Sequence, residues 1–158
     1  MKLRHLFLVL LLGFVLAGCG PSSAALPVTA VPTPAPSFTV SSEDEAAIRQ
    51  AALDYVEGWY AADADRMERA LHADFVKRVI MQDRVVTSRT SDMVNYTRQG
   101  GGASYAGEKK NVVTILDVYN DIATVRAESA EYIDYLHIGK VKGKWVLINA
   151  LWTYKQPK

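Results

Sequence analysis

Apolar positions divide the chain into three stretches. Leu6 to Leu16 form an apolar run broken only by Gly13, shorter than a comfortable membrane span. Residues 20–40 carry no period at all. From Ser42 onward the apolar residues fall first at helical and then at strand spacing. Ile48, Ala51, Ala52, Tyr55, Val56, Trp59 and Tyr60 predict an amphipathic helix over 43–61. Ser42 with Glu45 forms a capping-box pattern, and Glu43 and Asp44 put negative charge at the helix start. Asp65 with Glu68 repeats that pattern and opens a short second helix with Met67, Ala70 and Leu71 on its apolar face. Ser91 starts a third helix through about Gln99, terminated by Gly100-Gly101-Gly102.

The strand signal begins between these helices. Val76 to Met81 and Val85 to Thr87 read as a short hairpin around Gln82 to Arg84. Asn120-Asp121 and Lys142-Gly143 are two-residue hairpin turns, which place strands at 111–119, 122–130, 132–141 and 144–154. Alternation then sorts the side chains into faces. A two-residue corner at Ala130-Glu131 makes one face of Thr114, Leu116, Val118, Ala123, Val125, Ala127, Asp134, Leu136, Ile138, Leu147, Asn149 and Leu151. The other face carries Asp117, Arg126 and Glu128, then the apolar group Ile133, Tyr135, Val146, Ile148, Trp152 and Tyr154. Three helices, a hairpin and a four-strand antiparallel meander predict an α+β roll, one curved sheet closing over a long first helix.

Charge and composition narrow the function. The 158 residues hold 18 Lys plus Arg against 17 Asp plus Glu. A near-neutral, mixed surface gives no electrostatic reason to bind nucleic acid. The chain's one cysteine, Cys19, ends Leu16-Ala17-Gly18-Cys19, behind the apolar run and the basic Lys2 and Arg4. This arrangement resembles the lipobox of bacterial lipoprotein signal peptides; an ordinary signal peptide is the alternative. The resemblance implies a signal over 1–18, removal of that signal and a lipid on Cys19. It also implies a membrane-anchored domain outside the cytoplasm, at the bacterial cell envelope. Residues 19–41 read as a linker: five of the six prolines fall there among Ser, Ala, Thr and Val, without charge. Its reach is roughly 25 Å as a coil and about 65 Å if extended like polyproline. The folded domain is expected over 42–155.

Several stretches on these elements resemble the nuclear-transport-factor-2-like, or SnoaL-like, superfamily. They are Ala52-Leu53-Asp54-Tyr55-Val56-Glu57-Gly58-Trp59 on the first helix and Leu71-His72-Ala73-Asp74-Phe75 after the second. Ile133-Asp134-Tyr135-Leu136 and Gly143-Lys144-Trp145-Val146-Leu147-Ile148-Asn149 are most similar to its putative lumazine-binding family. The resemblance implies a cone-shaped roll whose enzymes, such as ketosteroid isomerase, work between the first helix and the sheet. There a desolvated carboxyl moves protons. Face parity makes Asp134 the candidate catalytic residue, with Asn149 diagonally across the strand pair. Tyr55, Trp59, His72, Tyr96, Asp134 and Asn149 are the expected ligand-pocket residues. Four of them have a plainer reading. Tyr55 and Trp59 suit the core, His72 a helix-terminal cap, and Asp134 a structural carboxylate at the cavity mouth or satisfied by Asn149 or a tyrosine hydroxyl, while Tyr96 is expected to close the cavity rim.

The rest of the chemistry is sparse. His72 and His137 are far apart, and no ligand pair falls at metal spacing, so no metal is expected. The Gly100-Gly101-Gly102 run lacks the Lys-Ser/Thr of a phosphate loop. No cofactor is implied. With no second acid and no His-Asp pair on one strand, the expectation is a non-catalytic domain that holds a small apolar or amphipathic molecule or binds another protein. A small cofactor-independent isomerase or hydrolase using Asp134 is the competing class. The apolar outer face predicts a homodimer. The alternative is a monomer whose last strand curls so that Trp152 packs beneath the second helix.

Overall fold

The computed structural model describes residues 40–107 and 111–156. The expected signal, the lipid on Cys19 and residues 20–39 of the linker lie outside the described residues. No helix among the described residues is long and apolar enough to cross a membrane.

The first helix, α1, spans Ser42–Ala61 and is capped by Ser41, whose hydroxyl accepts the Asp44 N–H at 3.1 Å. The cap is thus one residue earlier than the Ser42–Glu45 spacing predicts. α1 ends at Ala62, left-handed at φ 55°, and the chain turns directly into α2, Ala64–Ala70. Gly58 permits this tight turn, because a Cβ there would sit 3.1 Å from the Met67 amide nitrogen. Asp63 rather than Asp65 caps α2, accepting the Arg66 N–H at 2.9 Å. The Arg66 guanidinium then spans back to Asp54 at 2.7 Å and Glu57 at 2.6 Å, fastening α2 to α1.

Six strands follow in one sheet: β1 Leu71–Met81, β2 Arg84–Arg89, β3 Val112–Tyr119, β4 Ile122–Glu128, β5 Tyr132–Val141 and β6 Lys144–Tyr154. A third helix, α3, Thr90–Arg98, lies between β2 and β3 and is followed by a 3-10 turn at Ala103–Tyr105. The strand order is β2-β1-β6-β5-β4-β3, with β1 parallel to β6 and every other pair antiparallel. The hairpin is therefore not a separate piece packed on a four-strand meander. Its first strand begins at Leu71, earlier than expected, and extends the sheet. Phe75 and Val79 on β1 are buried on the inner face, so the pairing covers apolar area as well as ladder hydrogen bonds.

The expected turns hold. Lys142 and Gly143 both take positive φ, as does Asn120, and Ser129 pairs Tyr132 across the Ala130-Glu131 corner. Ala123, Val125 and Ala127 accordingly oppose Ile138, Leu136 and Asp134. Two bulges break the expected faces elsewhere. Ile138 pairs Leu147 but His137 pairs Asn149, so Ile148 is the extra residue and everything after it changes side. Gly139 makes room for it, since a Cβ there would lie 3.2 Å from Ile148. Asn149 and Leu151 thus share a face with His137 and Tyr135, while Ala150, Trp152 and Tyr154 share one with Leu136, Asp134 and Tyr132. In β3 the extra residue is Leu116, so Val113 and Ile115, not Thr114 and Leu116, join the inner face.

α1 lies across that inner face. Ile48, Ala52, Phe75, Val125, Leu136 and Leu147 are fully buried between helix and sheet. The helix start is clamped to the far end of the last hairpin: Asp44 accepts from Lys140 Nζ at 2.8 Å and Trp145 Nε1 at 2.7 Å. Near the other end, Gly101 and Gly102 lie against the Trp59 indole, where a Cβ would come within 2.4 Å of ring atoms.

Two stability outcomes follow. Gly102→Ala is expected to cost about 1–3 kcal/mol through overpacking on Trp59, whereas Gly107→Ala, whose Cβ meets nothing within 4 Å, should leave the urea midpoint unchanged. The hydrogen bonds from Lys140 and Trp145 hold the Asp44 carboxyl below its ordinary 3.8. Its contribution is therefore present above pH 3.8 and fades as pH falls through the lowered folded value. Asp44→Asn should lower stability at neutral pH and flatten that acid limb, read by thermal melts from pH 2 to 7.

Candidate functional site

The end of the cone away from the Asp44 clamp holds a polar cluster built from four elements. Asp134 on β5 points inward between two apolar layers and is 2% exposed. Tyr55 comes down from α1 one turn before Trp59, and its hydroxyl donates to Asp134 Oδ1 at 3.0 Å. Lys77 reaches in from β1, donating to the Tyr55 oxygen at 2.6 Å and lying 3.4 Å from Asp134 Oδ1. The ammonium is walled by aromatic rings, 4.7 Å from the Trp152 centroid, 5.3 Å from Tyr55 and 5.5 Å from Tyr132. A cation at these distances is attracted to each ring face. Tyr132, Trp152 and Tyr154 in turn pack on one another with centroids 5.0–5.4 Å apart.

A second set of bonds closes the β4–β5 corner beside it. Tyr60 donates to Ser129 Oγ at 3.0 Å, Ser129 Oγ donates to the Tyr132 carbonyl at 3.4 Å, and Lys155 Nζ donates to the Ser129 carbonyl at 3.1 Å. Burial pushes the Tyr55 hydroxyl far above its ordinary range, and the Asp134 charge adds to this. Burial likewise raises Tyr60 and Tyr132. These phenols stay protonated, and those of Tyr55 and Tyr60 serve as donors. The space enclosed by Tyr55, Val56, Trp59, Tyr60, Lys77, Ser129, Tyr132 and Asp134 is about 10 Å³, room for one water at most. The Trp59 ring borders it, while its Nε1, buried and without a partner among the described residues, lies on the edge that faces Gly102.

Of the six expected pocket residues, the structure brings three together: Tyr55, Trp59 and Asp134. Asn149 is turned to the outer face by the Ile148 bulge. His72 sits at the start of β1, where its Nδ1 accepts the Asp74 N–H at 3.1 Å and its carbonyl accepts from Thr90 Oγ1. It neither caps α2 nor lines the cluster. Tyr96 is 49% exposed on α3 and is not part of the enclosing wall. Lys77, Tyr132 and Trp152 escaped the sequence reading. Lys77 was legible in principle, because Phe75 and Val79 flank it at strand spacing and both are core residues. Trp152 was not, since the bulge that reverses its side has no sequence signal. It packs over Lys77, not beneath α2.

Among the described residues no group of three or more His, Cys, Asp or Glu side chains could hold a metal ion. A hollow of about 590 Å³ lies between α2, the start of β1 and α3, lined by Glu68, Leu71, Arg89, Thr90, Val94 and Arg98, and two more lie on the outer sheet face. One of about 320 Å³ is lined by Asp117, Tyr119, Ile122, Thr124, His137 and Ile148, and one of about 240 Å³ by Ile80, Ile133, Tyr135, Leu151 and Thr153.

A long helix laid across a strongly curved mixed sheet is the nuclear-transport-factor-2-like roll, and solved structures share it. An NTF2-like protein of unknown function from Silicibacter pomeroyi superposes with a TM-score of 0.60 at 17% identity, covering 73% of this chain and 99% of that one. One from Methylobacillus flagellatus gives 0.55 at 21%, covering 76% and 98%. A ketosteroid isomerase-like protein from Erwinia carotovora atroseptica gives 0.53 at 16%, covering 74% and 100%. At such identities the likeness shows the fold alone. The chain belongs to the family described as putative lumazine-binding, whose model matches residues 43–153. No curated protein matches the chain.

Removing one member of the buried pair leaves the other uncompensated. Lys77→Met is expected to destabilise by about 3–5 kcal/mol. Lys77→Met with Asp134→Leu should recover most of that loss, because two apolar groups replace two matched charges. Urea titration of the single and double variants checks both.

Proposed function

We propose that the chain is a lipid-anchored protein of the bacterial cell envelope whose domain is a non-catalytic binding module working through its outer sheet face. One observation carries this reading: about 10 Å³ is open beside Asp134, against about 320 Å³ on the apolar outer face, while the larger hollow beside α3 is lined by the charged Glu68, Arg89 and Arg98. A drug-sized ligand needs a pocket of roughly 300–1,000 Å³. Lumazine, named in the family's description, is a bicyclic pteridine ring, larger than the roughly 10 Å³ beside Asp134, and a ribityl chain would enlarge it further. A small amphipathic ligand has room at the outer hollow, with Asp117, Thr124 and His137 as polar groups on an apolar floor. The anchor rests on the Leu16-Ala17-Gly18-Cys19 resemblance and the proline-rich tether behind it.

A second copy is the macromolecular partner this face favours. Ile133, Tyr135, Leu151 and Ile148 make an apolar strip across β5 and β6, with Tyr135 46% and Leu151 49% exposed. The strip differs from the expected one by losing Trp152 and Tyr154 and gaining Leu151. A two-fold axis lets such a strip meet itself.

Proton transfer by Asp134 is the competing reading. Both contacts made by its Oδ1 are internal, and the space beside it among the described residues is about 10 Å³, which disfavours that chemistry. The test is turnover of a panel of ketones, esters and lactones, alongside light scattering. The expected result is no turnover, and a dimer that Tyr135→Lys with Leu151→Lys converts to monomer. Turnover abolished by Asp134→Asn in a folded protein overturns the reading. Palmitate labelling lost in Cys19→Ser is the expected result for the anchor, and labelling that survives the change contradicts it.

A further inference from the structure

The outer end of the β1–β2 hairpin is apolar on both faces, which neither the core nor a face-to-face dimer explains. Pairing of β1 with β6 stops at Val79 opposite Trp152, so the segment from Ile80 to Val85 overhangs the sheet. Ile80 opposes Val85 on the outer face and they are 66% and 62% exposed. Met81 and Val86 lie on the other face, the side of buried Val79, and are 45% and 48% exposed. β2 is also the free edge of the sheet. Exposed edges are normally blunted by charge, proline or a covering element. Here arginines stand only at the two ends of β2, and the part at the tip carries Val85 and Val86 opposite Ile80 and Val79, so water is a poor environment for it.

The charges around it are basic. Arg84 at the turn and Arg78 two residues before Ile80 are exposed and make no ion pair among the described residues, and Asp83 in the turn is the lone acid at the tip. Apolar residues on both sides of a tip, flanked by arginines, match an anionic lipid surface, where acyl chains receive the tip and headgroups the guanidinium groups. A protein partner docked on the sheet would cover one face and leave the other wet.

We propose that the β1–β2 hairpin tip inserts into the headgroup boundary of the membrane to which the chain is anchored, holding the domain against the bilayer. The proposal rests on the lipid-anchor reading, and chain length permits it. The start of α1 lies at the β5–β6 turn, through Asp44, whereas the hairpin tip lies beyond Trp152 at the other end of β6. Along a strand that separation is on the order of 30 Å. Residues 20–39 reach about 65 Å when extended, so Cys19 and the hairpin can meet one surface.

The test uses the full-length lipidated chain in vesicles of phosphatidylcholine and phosphatidylglycerol containing brominated lipid. An environment-sensitive fluorophore is placed at Val86→Cys, with Lys142→Cys at the opposite end of the sheet as control. The expected result is quenching at position 86 several-fold above that at 142, reduced by Ile80→Asp with Val85→Asp and by phosphatidylcholine alone. Equal quenching at the two sites in chains that float with the vesicles overturns the hairpin inference and leaves the anchor standing. Self-quenching between labels at 86 without lipid quenching assigns the edge to a second copy and also overturns it. A lipid-free Cys19→Ser chain that still floats, quenched at 86, retains the hairpin contact and isolates it from the anchor. Failure of the lipidated chain to float overturns both.

Discussion

A carboxylate placed between an apolar helix and an apolar sheet must be matched, and the rest of this structure is arranged around matching Asp134. Its nearest cation, Lys77, belongs to the hairpin that precedes α3, and its hydrogen-bond donor, Tyr55, belongs to α1. Helix, hairpin and meander are therefore tied at one point. Desolvation of the two charges is offset by their proximity, by the phenol hydroxyl and by three ring faces around the ammonium. The parallel β1–β6 ladder is what delivers Lys77 to this position. Without it the hairpin would be an appendage and the carboxylate an unpaired buried charge.

The same arrangement bears on function. Superfamily enzymes named above need an open cone with a carboxyl free to exchange protons. Here the carboxylate oxygen contacts the chain's own phenol and ammonium, and aromatic side chains of β5 and β6 occupy the mouth. Besides the hollow between α2, β1 and α3, exposed apolar side chains lie on the outer face and at the hairpin tip. The two regions differ chemically. The strip on β5 and β6 is apolar on one side only, as a face-packed interface requires, whereas the hairpin tip is apolar on both.

Much of the fold was legible in the sequence because its signals are local. Helical spacing and the acidic residues at its start located α1, and the Asn120-Asp121 and Lys142-Gly143 turns set the pairing of four strands and the inward side of Asp134. What escaped is non-local. Whether the hairpin stands apart or joins β6 depends on a contact between residues some seventy positions apart, such as Lys77 and Ala150. The bulge at Ile148 adds one residue on one strand, which alternation cannot foresee, and it moved Asn149 out of the site and Trp152 into it. His72 stands in a stretch that resembles the family and Tyr96 was placed at the rim from its position on the third helix, and neither meets the cluster. The Phe75-x-Lys77-x-Val79 alternation did carry the missing cation, but a lysine at a core position reads as an error until its partner is known.

The central claim is that the space beneath α1 is closed by its own matched charges. A high-resolution crystal structure of the chain grown with excess 6,7-dimethyl-8-ribityllumazine tests it most directly. The account predicts Lys77, Tyr55 and Asp134 in mutual contact, at most one water beside them, and any bound molecule outside the cone. Ligand density between α1 and the sheet, with Lys77 drawn away from Asp134, would contradict it.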